Sequence, residues 1–504
     1  MIKNTTTRVK QSMLSMLITR PLSAVAGLVV LVLLSRGLKS TEYAIYFAVW
    51  AVAEIVILAS NCGLIQSVYR YVSAAQKTNG CYVVEGPVLK LIALRFLSLI
   101  LSGGILLSFP DLFVRVFSGA HFSSVLVLYV LAISICEGMA RFFESIFDSM
   151  LSQGRSQFTL LLRTLVRVVG LLYLGYQDGL TIENVIRLEM IAASLGFFVG
   201  FILFAQLYVA SELGSTELHE GTLVRMVKFA VPAYMAQLLG ILYGPDAMKL
   251  ILAGNVGAHA LAVFGFAYSL AAVVQRYLPI NILAGVFRPV FVAASKKEDA
   301  NHILPEMLVM VIKVNWLFVV PIFCILIFLG DWFLGKISGG NYTNAGPVMC
   351  IIVVALLAVA THGALSMYCL ARETSWAPMW ATACSAVGLP IAIYLGGRYG
   401  AIGVALAFLV SEIIWCFACY LILQINQVHR FTLPIRGLLV IVGSVTTAVA
   451  LPLAFNHWFS PVLSAVVAIL VLLILLIKFS PFSSLEQKWL TSVCPAPLAK
   501  ILRL

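Results

Sequence analysis

The sequence predicts an all-α, polytopic membrane protein with about 14 transmembrane helices. Three observations predict it. The chain is 62% hydrophobic over 504 residues, with a mean hydropathy of +1.03. Only 11% of residues are charged, against about 25% in an ordinary soluble domain. Apolar runs recur along the whole chain at about the 20-residue length that a 30 Å hydrocarbon core demands. Lipid admits only helices or closed barrels, and barrel strands would read as short alternating segments rather than these long continuous runs.

The spans run in order as follows. Span one, 13–36, follows Lys3, Arg8 and Lys10 and carries Arg20 beside Pro21. Its start resembles a signal peptide with Ala24-x-Ala26, but apolar sequence continues to Leu34, so it reads as uncleaved. Span two, 42–64, carries Glu54 near its middle, and span three, 88–109, carries Arg95. Span four, 122–148, ends in CEGMARFFESIFDSM, with Glu137, Arg141, Glu144 and Asp148. Span five, 157–176, has Arg163 and Arg167 one turn apart, and span six is 183–208. Span seven, 226–252, places Asp246 and Lys249 after Pro245, and span eight, 259–284, has Gln275 and Arg276. Spans nine to fourteen are 306–329, 346–370, 377–397, 401–425, 435–455 and 459–478, with His362 in span ten and Glu412 in span twelve.

Lys and Arg are unevenly spread between alternate connections. With the N-terminus inside, the inner connections and tail hold about three times as many as the outer ones, where only Arg36, Lys39, Arg115, Lys336 and Arg398 fall. This puts both termini in the cytoplasm, as an even span count requires. The same bias accounts for the net charge of +12 without nucleic acid. The longest inner connection, SELGSTELHEGTLVRMVK, follows span six and divides the chain. SRGLKSTEYAIYFAVW after span one and AGNVGAHALAVFGFAY after span seven open alike, the mark of an internal repeat of the kind many transporters use. The expected organisation is an N-terminal six-helix lobe at 1–210, a cytoplasmic linker at 211–225, a C-terminal six-helix lobe at 226–430, and two additional helices with a tail at 431–504.

An ionisable group deep in a bilayer costs about 2.5–3.5 kcal/mol on insertion scales and normally faces protein or water. At 100° per residue, positions 137, 141, 144 and 148 lie within about 60° of one another, a single stripe. Such a stripe lines something polar or meets the headgroups at its Asp148 end. Arg163 and Arg167 are divided between the inner headgroups and the interior. Asp246 and Lys249 either pair across the turn or face a cavity. Charges on several helices suit one shared central cavity. Its cationic set, Arg20, Arg95, Arg141 and Arg276, offers guanidinium forks matched to a diphosphate. Its acidic set, Glu54, Glu137, Asp246 and Glu412, serves ion coupling or keeps the anion from being trapped. His362 reads as a helix-contact residue.

Several chemistries are missing. GDWFLGKI matches GxxxxGK but lacks the final Ser or Thr and follows a membrane helix, so it is no P-loop. There is no HExxH, and the Cys416-x-x-Cys419 pair lies inside a span without a second pair. Short outer loops without an acidic catalytic loop weigh against a membrane glycosyltransferase. No metal or cofactor is expected, and coupling to the membrane potential, H+ or Na+ stays open.

The segment SRGLKSTEYAIYFAVWAVAEIVILASNCGLIQSVYRYV resembles the polysaccharide transporter (Wzx-type) flippases of the MOP flippase superfamily. It shares their basic-small turn, aromatic entry to span two and Gly-Leu ending before a basic segment, and it departs at Ala44, where glycine is commoner. RMVKFAVPAYMAQLLGILYGPDAMKLILAG is similar to the family's span seven. The resemblance implies two six-helix lobes with two added helices. It implies transfer of undecaprenyl-diphosphate-linked oligosaccharide from the inner to the outer leaflet of a bacterial inner membrane, for O-antigen, capsule or exopolysaccharide. Cavity arginines would meet the diphosphate, with Arg20 the positional match in span one. Partners would be the lipid-linked oligosaccharide and membrane lipids, with a polysaccharide polymerase and chain-length machinery as further candidates. A MATE-like exporter of drugs or metabolites is the alternative on the same fold.

Overall fold

The computed structural model describes residues 2–68, 86–108, 124–150, 152–209, 231, 234–282, 291, 294–295, 300–372, 374, 376–426, 435–455, 460–483 and 486–487. Within helix 2–37, side chains are described only at Thr19 and from Pro21 onward. The described residues form helices and connections, with no strand among them. Each of the fourteen expected spans contains helix. The first six are α1 (Ile2–Gly37), α2 (Ser40–Ala59), α3 (Gly86–Leu107), α4 (Ser124–Ser149), α5 (Gln153–Tyr176) and α6 (Ile182–Val209). Span seven is helical over 234–243 and continues as α7 (Pro245–Asn255), with Pro245 at the first turn, where its missing N–H costs nothing. Then come α8 (Ala258–Arg276), α9 (Ala300–Ser338), α10 (Gly346–Ala371), α11 (Trp376–Ser385), α12 (Gly388–Asn426), α13 (Arg436–Ala454) and α14 (Pro461–Phe479).

Ten helical stretches among the described residues are long and apolar enough to cross a membrane. One of them, Trp376–Ile425, runs through both α11 and α12. The turn expected near 397–401 lies inside α12, where Gly400 leaves helical geometry at φ 58°, a region that favours glycine. Gly403 then packs against the Leu395 carbonyl, where a Cβ has no room. Helix α9 runs well past the expected 306–329, because neither Asp331 nor Lys336 stops a helix as it leaves the apolar layer.

The chain divides into two compact units, Met1–Ala262 and Val263–Leu504. The expected linker, 211–225, lies outside the described residues. In the first unit α4 packs on α2, α3, α5 and α6, and α1 packs on α5. Met139, Phe142, Phe143, Ile146 and Phe147 of α4 join Val88, Leu91 and Leu99 of α3 and Phe204 and Leu207 of α6 in one apolar core. The charged stripe of α4 lies on its other side. Helix α6 carries the small-residue pair Gly196 and Gly200, a GxxxG spacing that lets helices approach. Phe143 fills the space over Gly200 and Arg163 that over Gly196.

In the second unit α9 packs on α10, α13 and α14, and α10 and α11 pack on α12. Ser464, Ala465 and Ala468 of α14 are buried, whereas Val466, Leu470 and Ile474 are exposed. That is the pattern of a lipid-facing helix, with small residues inward and large ones outward.

Candidate functional site

The stripe on α4 lies against α2, α5 and α6. The carboxylate of Glu54 on α2 accepts both terminal nitrogens of Arg141, at 2.6 and 2.8 Å, a two-pronged guanidinium–carboxylate pair. Arg141 Nε donates to Glu137 one turn back, at 2.9 Å. Glu137 also meets Arg163 Nη1 at 2.5 Å and Arg167 Nη2 at 3.6 Å, both from α5. Arg163 turns its other terminal nitrogen to Glu144, which also accepts from Thr159 at 3.1 Å. Arg167 Nε donates to Glu189 of α6 at 2.7 Å, and Tyr46 of α2 donates to the other oxygen of Glu189 at 3.2 Å. Trp50 lies under the Arg167 guanidinium at 5.3 Å. Tyr46, Trp50 and Glu54 follow one another at four-residue intervals, so one face of α2 supplies three contacts.

This network joins four carboxylates, Glu54, Glu137, Glu144 and Glu189, to three guanidinium groups, Arg141, Arg163 and Arg167. Its exposure is graded. The Arg163 side chain is 1% exposed and that of Glu137 4%, whereas Glu54 is 22% and Arg141 35% exposed. Buried ions need a partner of opposite charge, and each of these has one, although Arg163 Nε and Nη1, Arg167 Nη2 and Glu137 Oε2 are buried without a hydrogen bond to a described residue. Its accessible edge is the Glu54–Arg141 pair.

Of the other sequence candidates in this unit, Asp246 feels the charges of Glu54 and Arg141, and Arg95 that of Arg141. Arg95 is fully enclosed, with no surface to offer a ligand. It donates to the Ile57 carbonyl and to Ser60 Oγ, both at 3.0 Å, at the C-terminal end of α2. Asp246 pairs with Lys249 at 2.7 Å, three residues on, as the pairing alternative expects. Arg276 is exposed at the last residue of α8 and makes no salt bridge with a described residue. Arg20 lies in α1, and its side chain is outside the described residues. In the second unit Glu412 of α12 meets His362 Nδ1 of α10 at 3.0 Å. The His362 ring stacks on Trp415 at 3.5 Å, and Trp415 Nε1 donates to Thr382 of α11 at 2.9 Å.

Two charged elements escape the sequence reading. Glu189 closes the network from α6, a span whose sequence stands out only as apolar. A carboxylate in a 28-residue apolar helix is the same signal that singles out Glu54. Lys313 of α9 binds both oxygens of Glu486, at 2.8 and 2.9 Å, with side chains 3% and 1% exposed. Lys313 sits inside an apolar run and was detectable, but nothing local marks its partner 173 residues on. No cluster of three or more metal-ligating side chains occurs among the described residues.

Comparison with solved structures identifies the fold. The lipid II flippase MurJ in an inward closed conformation superposes with a TM-score of 0.64 over 92% of this chain and 98% of its own, at 17% identity. An inward-facing multidrug resistance MATE family transporter of the MOP superfamily gives 0.57 over 80% and 95%, at 13% identity. The chain is therefore a multi-span membrane protein with the MurJ and MATE fold. No curated protein sequence matches it. The model of the polysaccharide biosynthesis protein family matches residues 9–295, more than half of the chain, and the chain belongs to that family.

Proposed function

We propose that the protein is a flippase that carries an undecaprenyl-diphosphate-linked oligosaccharide from the inner to the outer leaflet by alternating access. It would act in a bacterial inner membrane, with both termini cytoplasmic, in the synthesis of O-antigen, capsule or exopolysaccharide. One observation carries the reading to the substrate's chemistry: a guanidinium fork, that of Arg141, lies at the accessible edge of an otherwise buried network. Such a fork matches phosphate oxygens. Arg20 and Arg276 are proposed as further contacts along the path, and Arg95 as a support for the end of α2. No enzymatic step and no cofactor is invoked.

The membrane potential supports feasibility. A charge crossing it is worth about 2.3 kcal/mol per 100 mV, so a diphosphate of about two negative charges gains roughly 4–5 kcal/mol per 100 mV on moving outward. Exchange with H+ or Na+ would add to this through Glu54, Glu137, Asp246 or Glu412. A polymerase and chain-length machinery would take the cargo on the far side. Lipid extraction from a deletion strain, with an Arg141→Ala strain beside it, tests the proposal. Undecaprenyl-linked oligosaccharide should accumulate on the cytoplasmic side in both. No accumulation in the deletion would sink the flippase reading.

One observation favours a second reading, the ion-coupled MATE-like exporter. Carboxylates outnumber guanidinium groups in the network by four to three, which suits a cationic cargo. On that reading the deletion strain gains sensitivity to cationic drugs and accumulates no lipid-linked sugar.

A further inference from the structure

We infer that Glu54 is a built-in competitor for the substrate, one that sets how much negative charge an anion must carry to occupy the Arg141 fork. The inference rests on the reading of Arg141 as a diphosphate contact.

The network divides into a fixed part and an exchangeable part. Arg141 Nε is tied to Glu137, which is buried and held again by Arg163 at 2.5 Å. Among the described residues Glu54 meets the network through Arg141 alone, and it is 22% exposed. Withdrawing Glu54 therefore leaves Arg141 in place, with Nη1 and Nη2 presented side by side. Two oxygens of a phosphate present the same spacing as the two oxygens of a carboxylate, so either can fill the fork.

Charge then decides between them. In the empty protein, a bare guanidinium in a low-dielectric site would be costly, and Glu54 removes that cost. A phosphodiester headgroup of an ordinary phospholipid brings one negative charge. Swapping it for Glu54 replaces one single charge by another and gains nothing. A diphosphate brings about two, so it gains attraction beyond what Glu54 gives up. The bilayer holds phosphodiesters in large excess over any lipid-linked sugar, and an uncovered Arg141 would be filled by them. The same competition promotes release, because Glu54 returns to the fork as the diphosphate leaves. Glu54 is thus a specificity-determining residue that trades affinity for selectivity and turnover.

The test uses the full chain in nanodiscs of zwitterionic lipid, with inorganic pyrophosphate and undecaprenyl diphosphate as probes. Phosphatidylglycerol is added to the bilayer as a competing phosphodiester. Glu54→Gln should bind both probes about tenfold more tightly and should lose them as phosphatidylglycerol is added, whereas the wild-type protein is indifferent to it. Glu54→Asp keeps the charge and should remain insensitive to phosphatidylglycerol. Arg141→Lys should lose the two-pronged grip in either background. Unchanged or weaker probe binding by a Glu54→Gln protein that melts as the wild type does would overturn the inference. So would phosphatidylglycerol competing equally with wild type and variant. Neither result touches the flippase reading, which stands or falls on lipid accumulation in the deletion strain.

Discussion

Replacing Arg163 with methionine tests whether the network is an ionic core or a set of surface contacts. The side chain is 1% exposed and bridges Glu137 to Glu144. Two charges 4 Å apart attract by about 4 kcal/mol at an effective dielectric of 20, so two pairs are worth about 8 kcal/mol before desolvation. Burying the guanidinium returns several kcal/mol of that. The net loss expected for Arg163→Met is about 3–5 kcal/mol, because one partner, Glu144, stays behind as an uncompensated buried charge. Glu137 would keep Arg141 and Arg167. Glu144 would keep only the Thr159 hydroxyl. Adding Glu144→Gln to Arg163→Met removes the stranded charge and should recover at least about half of the loss. By contrast, Glu137→Gln should cost only about 1–2 kcal/mol, since Arg141, Arg163 and Arg167 each retain a carboxylate of their own in Glu54, Glu144 and Glu189. Reversible unfolding in mixed micelles of mild detergent and dodecyl sulfate reads these values directly. A loss below about 1 kcal/mol for Arg163→Met, or no recovery in the double variant, would refute the view that these groups form a buried ionic core.

Two further predictions concern packing around buried charges. In Gly196→Ala the new methyl would overlap the stem of Arg163, whose Cγ lies 2.8 Å from the Cβ position. Arg163 is pinned at its tip, so the variant should lose about 1–3 kcal/mol in the same assay, whereas Gly27→Ala, with nothing within 4 Å, should stay within about 0.5 kcal/mol of wild type. Glu486→Leu strands the Lys313 ammonium and should cost about 3–5 kcal/mol, while Lys313→Met with Glu486→Leu should return to within about 1 kcal/mol of wild type, as judged by unfolding of the purified variants.

The fold was legible because the bilayer imposes it. A 20-residue apolar run has one stable conformation in lipid, so each span read from the sequence contains helix, and the Gly400 break falls where the turn between spans eleven and twelve was expected. The stripe on α4 was legible for a related reason, since charge inside an apolar helix is costly enough to demand a partner. The partners were only half legible. Helical spacing gives Glu137–Arg141 within α4, but the reach of Arg141 to Glu54, 87 residues away, is set by how α2 packs on α4. Arg163 illustrates the limit. Its position in span five leaves headgroup and interior equally open, and its pairs with Glu137 and Glu144, with the space over Gly196 on α6, decide for the interior. Arg95 was grouped with the cavity arginines because sequence shows that a charge is buried, not what it is buried against.

Arg95 is the contrasting case, a buried cation whose described partners carry no formal charge. It lies where α2 stops, at a junction that passes through left-handed conformations at Cys62 and Gly63. The last carbonyls of a helix are short of partners and carry the negative end of its dipole. Three side chains meet them here. Arg95 donates to the Ile57 carbonyl, Ser98 to that of Ser60 at 2.7 Å, and Tyr234 to that of Ala59. The guanidinium thus acts as a helix cap, and Gly138 of α4 beside it makes room for Leu99, whose Cδ2 lies 2.9 Å from where a Cβ would stand. Removing it strands little. The Ile57 carbonyl would still accept from the Ser60 hydroxyl at 3.1 Å, and no carboxylate would be left alone. Methionine has a similar length and avoids the desolvation cost of the charge. Arg95→Met should therefore cost about 1 kcal/mol, several-fold less than Arg163→Met, although both side chains are equally buried. A loss of 3 kcal/mol or more would mean that the charge itself, through the dipole of α2, holds the junction together, and that a helix end can hold a buried arginine as firmly as a carboxylate does.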